Sequence, residues 1–318
     1  MANERMRVGI SSCLLGHKVR YDGGHQLDQY IARTLGRYMD FVPVCSEVEC
    51  GLPVPREALR LVGDPTMPRL VTRESRVDHT ERMRAWAERK VEELCRDGLS
   101  GFIFKSRSPS SGMERVKVYP EGGGQPVLKG TGIFPRLFMQ RFPLLPVEDD
   151  GRLHDPVLRE NFIERLFLMR AWQNFLASGP NLGGLVSFHT KLKLQLMAHS
   201  RTHYDELGRL VAHGRELPLT ELLERYADAL MGGLRIKATP RKHANVLQHI
   251  LGHFKKDLTS DEKQEALELI EHYRQGNVPL IVPITLLNHF VRKYSKAYLA
   301  EQYYLHPHPL DLRLRTQV

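Results

Sequence analysis

Short apolar runs that stop at polar or small residues alternate with one helical stripe over the first 150 residues. "RVGIS", "FVPVCSE" and "GFIFKS" read as strands bounded by turn residues. Before the third lies "DHTERMRAWAERKVEELCRDG", in which Met83, Trp86, Ala87, Val91, Leu94 and Cys95 share one helical stripe. This strand–helix–strand rhythm predicts a mainly parallel, Rossmann-like α/β sheet with helices on its faces. Ligand crevices in such sheets lie beyond the carboxyl ends of the strands. Those ends carry Cys13, Cys45 and the serine loop that follows "GFIFK". "PEGGGQPVLKGTGIFPRLF" reads as a glycine-rich loop before a helix. It has no GxxxxGK[ST] and no strand-linked GxGxxG, so its phosphate-loop reading is weak.

From about residue 153 the helical period takes over. "LHDPVLRENFIERLFLMRAWQNFLAS" predicts one long helix, closed by "GPNLGG". Five further helical segments follow: "LVSFHTKLKLQLMAHS", "LTELLERYADALMG", "ATPRKHANVLQHILGHFKKDL", "TSDEKQEALELIEHYRQG" and "PITLLNHFVRKYSKAYLAEQYYL". Thr259 or Ser260 is the expected N-cap of the fourth, and Gly276 its stop. The expected organisation is an α/β domain over 1–150, a connecting helix and linker over 151–182, and an all-α domain over 183–318.

Composition narrows the function classes. The 318 residues include 46 Lys+Arg against 37 Asp+Glu, a formal charge of +9 that favours polyanionic partners, most simply nucleic acid. No apolar run approaches the ~20 residues needed to span a bilayer, so no membrane role is expected. "MANERMRVGISS" is too polar for a secretory signal, and the expected location is cytoplasmic. In a reducing compartment the four cysteines point to metal or catalysis rather than disulfides. Cys95, on its apolar stripe, is expected to be a core residue.

Cys13 ends a strand in "GISSCLLGHKVRYDGG", where a thiolate can face a crevice and Arg20 can lower its pKa; a cysteine tucked under the sheet is the plainer alternative. Asp22, beside two glycines, suits a turn as well as a functional role. Cys45 is followed by Glu47, pairing a soft ligand with an acid–base candidate whose pKa an apolar crevice would raise; a solvated loop charge is as good a reading. Cys50 completes only a CxxxxC, a weak signal, and the two prolines of "LPVPRE" make the segment after it extended and stiff. In the second half His199 and His203 are spaced i, i+4 without the Glu of HExxH, so metal binding there is weakly supported. Lys191, Lys193, Arg241 and Lys242, interleaved with Tyr and His, suit RNA backbone contacts and base stacking, or else form a solvated basic surface.

"GISSCLLGHKVRYDGGH", "VPVCSEVECGLPVPRE" and "FKSRSPSSGMERVKVY" together resemble the TudS family of iron–sulfur thiouracil desulfidases. The second half, with "FHTKLKLQLMAHS", is similar to the YbgA-type domain fused to that module in proteins proposed to desulfurate 4-thiouridine in tRNA. The resemblance implies a 4Fe-4S cluster held by three cysteines, with one iron lacking a protein ligand and free to take the thiocarbonyl sulfur. It also implies thiolated tRNA as partner and a non-redox exchange of sulfur for oxygen. By motif position Cys13 and Cys45 would be ligands, Glu47 would move protons, and Ser108 would orient substrate or relay a proton. The sequence departs from the family twice. Cys-Pro-Glu is here Cys45-Ser46-Glu47, and Ser-Pro-Ser-Cys-Gly is here Ser108-Pro109-Ser110-Ser111-Gly112, so Ser111 occupies the third-ligand position. A hydroxyl is a poor substitute for a thiol at soft iron. Ser111 is then an engineered replacement, or Cys50 or a Ser111 alkoxide completes the ligand set, or the cluster has been lost and an RNA-binding protein remains. Free thiouracil is the other substrate the resemblance allows.

Overall fold

A computed structural model of the chain describes residues 5–317. Its contacts divide into two compact units, Met1–Asp155 and Pro156–Val318. The first contains strands β1 (Met6–Ser11) and β2 (Met39–Val44), the single-turn helix α1 (Ser46–Glu49), then β3 (Leu59–Val62) and β4 (Arg69–Thr72). Helix α2 (Thr80–Cys95), β5 (Gly101–Phe104), β6 (Val116–Tyr119), β7 (Val127–Gly130), α3 (Ile133–Arg141) and β8 (Val147–Asp149) follow.

Four of these strands form a wholly parallel sheet in the order β2-β1-β5-β8. Parallel strands buried on both faces read as continuous apolar runs, as in "GFIF", which is buried throughout. The chain places β2 on one side of β1 and β5 on the other, which makes the carboxyl ends of β1 and β5 a topological switch point. Register aligns those ends: Ser11 is opposite Val44, Ile10 opposite Ile103, and Phe104 opposite Asp149. Gly9 is obligatory in β1, because a Cβ there would run into the Phe102 ring. Phe102, Phe104, Phe134 and Phe138 form the aromatic centre of the core under α2 and α3.

A second sheet, in the order β4-β3-β6-β7, is mixed rather than parallel and was not expected. Each of its strands has only four residues. The stretch read as a glycine-rich loop contains β7, paired with β6.

The second unit is all helical apart from its turns: α4 (Pro156–Ala177), α5 (Leu182–His199), α6 (Arg201–Ala212), α7 (Leu219–Arg235), α8 (Pro240–Gly252), α9 (Ser260–Arg274) and α10 (Ile281–Lys293). The helix read as a connector, α4, belongs to this unit and buries Phe162, Ile163, Leu166 and Trp172. Thr259 caps α9 in a reciprocal capping box with Glu262, and Gly276 follows its end at φ +80. Helix α6 was not foreseen. Ser200 ends α5 in an extended conformation and caps α6 by accepting from the His203 backbone N–H. The i, i+4 spacing of His199 and His203 therefore places them on different helices.

Candidate active site

The carboxyl ends of β1, β2 and β5 open into one cavity of about 240 Å³. Cys13, Cys45, Glu47, Ser108 and Ser111 all line it, although they come from three segments of the sequence. Ser11, at the end of β1, accepts a hydrogen bond from the Lys105 backbone N–H at 2.9 Å, joining the first wall to the third. Lys105 Nζ in turn pairs with Asp150 at 2.8 Å, and Asp150 also accepts from the Ser106 N–H at 2.6 Å. Asp150 follows β8, so a fourth strand end braces the loop.

The serine loop is a closed turn. Gly112 N–H donates to the Ser108 carbonyl at 2.8 Å, and Ser111 N–H donates to Ser108 Oγ at 3.2 Å. Gly112 sits so tightly that a Cβ would lie 2.6 Å from the Ser108 carbonyl oxygen. Gly132 of the "GTG" stretch packs against the far side of the loop: its Cβ would lie 2.7 Å from Ser110 C and O. Structural packing, not phosphate binding, accounts for that glycine.

Glu47 does not face an apolar crevice. Its Oε2 accepts from Arg56 Nε at 2.7 Å and from the same guanidinium's terminal nitrogen, and its Oε1 accepts from Ser110 Oγ at 2.6 Å. Ser110 Oγ lies 3.1 Å from Ser108 Oγ. A continuous line of polar atoms, Ser108–Ser110–Glu47, results, with Arg56 closing it. Ser110 is 1% exposed and Arg56 also donates to the carbonyls of Val19 and Pro53. Neither residue stood out in the sequence: Ser110 was one serine among several, and Arg56 was hidden by the prolines before it.

Burial raises the pKa of both cavity thiols. Desolvation pushes Cys13 up to about 11 against the opposing charge of Lys105; Arg20, expected to lower it, is the weakest of the charges acting on it. Cys45 is raised for the same first reason, with the backbone N–H of Val48 working the other way. Cys50 is not in the cavity lining; it is buried in the apolar core, and its Sγ donates to the Glu47 carbonyl at 3.2 Å. Completing a ligand set with Cys50 would require it to leave that core.

The second-half candidates lie in the helical unit. Lys191 pairs with Glu301 at 3.3 Å, and Lys242 Nζ donates to the His199 carbonyl at 2.7 Å. Lys193 is half-buried and Arg241 exposed. His199 is a buried structural residue, 3.3 Å from Glu164 and 2.9 Å from Gln195. Glu160, Glu164 and His308 offer ligand atoms within 4.8 Å of one another. The guanidinium of Arg315 already bridges the two carboxylates, at 3.0 Å and 2.5 Å.

Two desolvated thiols, a clamped carboxylate and a hydroxyl-rich loop at a sheet switch point define a thiol-ligand catalytic module on an α/β scaffold. Residues 8–150 match the family model for 2-thiouracil desulfurase, and residues 193–309 match the model of a protein family of unknown function, DUF1722. The YbgA protein of Escherichia coli (strain K12) is 32% identical over 152 residues, covering 48% of this chain and 90% of YbgA. A solved structure of the [4Fe-4S]-dependent thiouracil desulfidase TudS is 27% identical, spans 48% of this chain and 95% of that one, and superimposes with a TM-score of 0.38. The chain belongs to the YbgA family through its helical half, and its first half is a TudS-like desulfurase module fused to it.

The donor set suits an iron–sulfur group at two of three positions. Cys13 and Cys45 present soft donors to one cavity; of the cations lining it, Arg56, Lys105 and Arg20 are paired with Glu47, Asp150 and Asp22, which leaves Arg107, among the described residues, with positive charge that would offset thiolates. Metal binding would drive these two thiols to deprotonate despite their raised pKa values. The third position, Ser111, lines the same cavity with an oxygen donor.

Proposed function

We propose that this protein is an iron–sulfur-dependent desulfidase that converts the thiocarbonyl of 4-thiouridine in tRNA to a carbonyl. The reaction consumes one water and releases the sulfur as sulfide, with no net redox change. The observation that carries the reading is the meeting of Cys13 and Cys45 with the Ser108–Ser110–Glu47 line in one cavity. When bound, the cluster supplies a thiophilic, Lewis-acidic iron. Cys13, Cys45 and Ser111 would hold it. Arg56 fixes Glu47 so that its Oε1 is turned to Ser110, and a proton lost by attacking water passes through Ser108 and Ser110 to that carboxylate. Lys105, locked by Asp150, keeps the thiol wall and the serine wall in place. Exposed cations of the helical unit, Arg241 foremost, add contacts to the RNA backbone.

The test is anaerobic reconstitution of the native chain and of Ser111→Cys with iron and sulfide, followed by addition of thiolated tRNA. The near-ultraviolet absorbance of 4-thiouridine should fall and sulfide should appear, faster with Ser111→Cys. If neither protein releases sulfide, the enzymatic reading is wrong.

One observation, the oxygen donor at residue 111, favours a second reading: a protein that binds RNA without a cluster. Iron analysis of freshly purified protein separates the two, since about four irons per chain would rule the second out.

A further inference from the structure

A wide groove of about 1130 Å³ adjoins the cavity and shares Lys105, Ser106, Arg107 and Pro109 with it. Seven of the residues lining it are Lys or Arg and three are Asp or Glu. Two of those acids are already neutralised, Asp150 by Lys105 and Glu114 by Arg152. Among the described residues, Arg107, Arg115 and Lys117 are exposed and make no ion pair. The surplus positive charge thus faces solvent rather than satisfying the fold.

The floor of the groove includes the outer face of the second sheet. Side chains alternate along β6, so Val116 and Val118 enter the core while Lys117 and Tyr119 face out. The register of β3 with β6 sets Leu61 opposite Val118. Arg60 therefore shares the outer face, with its guanidinium 5.5 Å from the centre of the Tyr119 ring. Leu128 of β7, opposite Lys117, is 53% exposed on that face. An aromatic ring, an apolar side chain and unpaired cations on one sheet face form a platform on which bases stack and phosphates are neutralised.

We infer that this groove binds the sugar–phosphate backbone of a polynucleotide flanking the base that enters the cavity. A base reaches groups recessed in a cavity only when turned out of its stack, and its neighbours then have to run along the adjoining surface. The α/β module accordingly has its own nucleic-acid site, separate from any contributed by the helical unit. The inference rests on the desulfidase reading only for which base is turned in.

The test uses the full chain, labelled unmodified tRNA and fluorescence anisotropy across a potassium chloride series, which needs neither cluster nor sulfur. Arg115→Gln with Lys117→Gln removes two exposed charges and no fold contact among the described residues. Two lost phosphate contacts should flatten the slope of log Kobs against log salt by about 1.4 to 1.8, weakening binding on the order of tenfold at 0.15 M salt. Far-ultraviolet circular dichroism should match the native chain. An unchanged slope overturns the inference, as does a loss of slope seen only with Arg241→Gln in the helical unit. Failure of the native chain to bind tRNA, or its displacement by polyglutamate more readily than by unlabelled tRNA, overturns it too. Failure to release sulfide would sink the activity while leaving this result standing.

Discussion

Gly132→Ala is an unusually clean perturbation of the site, because it removes no functional group. Its backbone angles, φ −58 and ψ 155, are open to alanine, so the effect is steric alone. The new Cβ would stand 2.7 Å from Ser110 C and O and 3.0 Å from Ser111 N. Those are backbone atoms, which cannot rotate away as a side chain tip would. Reaching 3.4 Å, the lower edge of ordinary contact, takes about 0.7 Å of retreat. Ser110 is where that retreat hurts, since its hydroxyl reaches Glu47 at 2.6 Å. A misplacement of about 1 Å in a catalytic constellation can cost on the order of 100-fold in rate. Gly132→Ala should therefore slow sulfide release by at least about tenfold. Overpacking should also lower stability by about 1–3 kcal/mol. Gly122→Ala is the control, because nothing lies within 4 Å of its new Cβ. A Gly132→Ala protein that turns over within twofold of the native rate would show that the loop's position against Gly132 does not matter to the chemistry.

Ser110→Ala breaks the line between Ser108 and Glu47, and sulfide release should fall by about ten- to a hundredfold while tRNA affinity is kept; an unchanged rate would remove Ser110 from the relay. In the helical unit, burial lowers His243 to about 3 and His189 to about 4, so both are neutral when folded and ordinary when unfolded. Their contribution is fully present above pH 6.5 and is lost as pH falls toward those values; thermal midpoints followed from pH 7 to pH 4 should decline, and His243→Asn should decline less steeply. Thr259→Ala removes the hydroxyl of the α9 capping box and should cost about 1 kcal/mol, read as a lowered midpoint in chemical unfolding of the helical unit.

The parallel sheet was legible because its inner strands are buried on both faces and so announce themselves as unbroken apolar runs. The second sheet was not, since strands such as "LRLV" and "VLKG" are too short to establish a period and lie among prolines and glycines. Helix α6 escaped for a different reason: beyond Ser200 it buries only Leu207 and Val211, too few to mark an apolar stripe. Motif residues at strand ends announced the cavity, because strand ends converge in any parallel sheet. What the sequence could not show were the partners set by the fold. Arg56 reaches Glu47 by approach in space, and Asp150 reaches Lys105 across 45 positions.

The pairing of β1 with β5 has a consequence for how such a protein matures. Cys13 leaves the ribosome nearly a hundred residues before Ser111, and the two share a cavity only after β5 has docked beside β1 and β8 has braced it. Cys13 and Cys45 meet as soon as β2 pairs with β1, and the serine wall is the last side of the cavity to arrive. A group held by all three walls would therefore be enclosed only in the finished α/β module, whatever begins to bind at the two thiols before then.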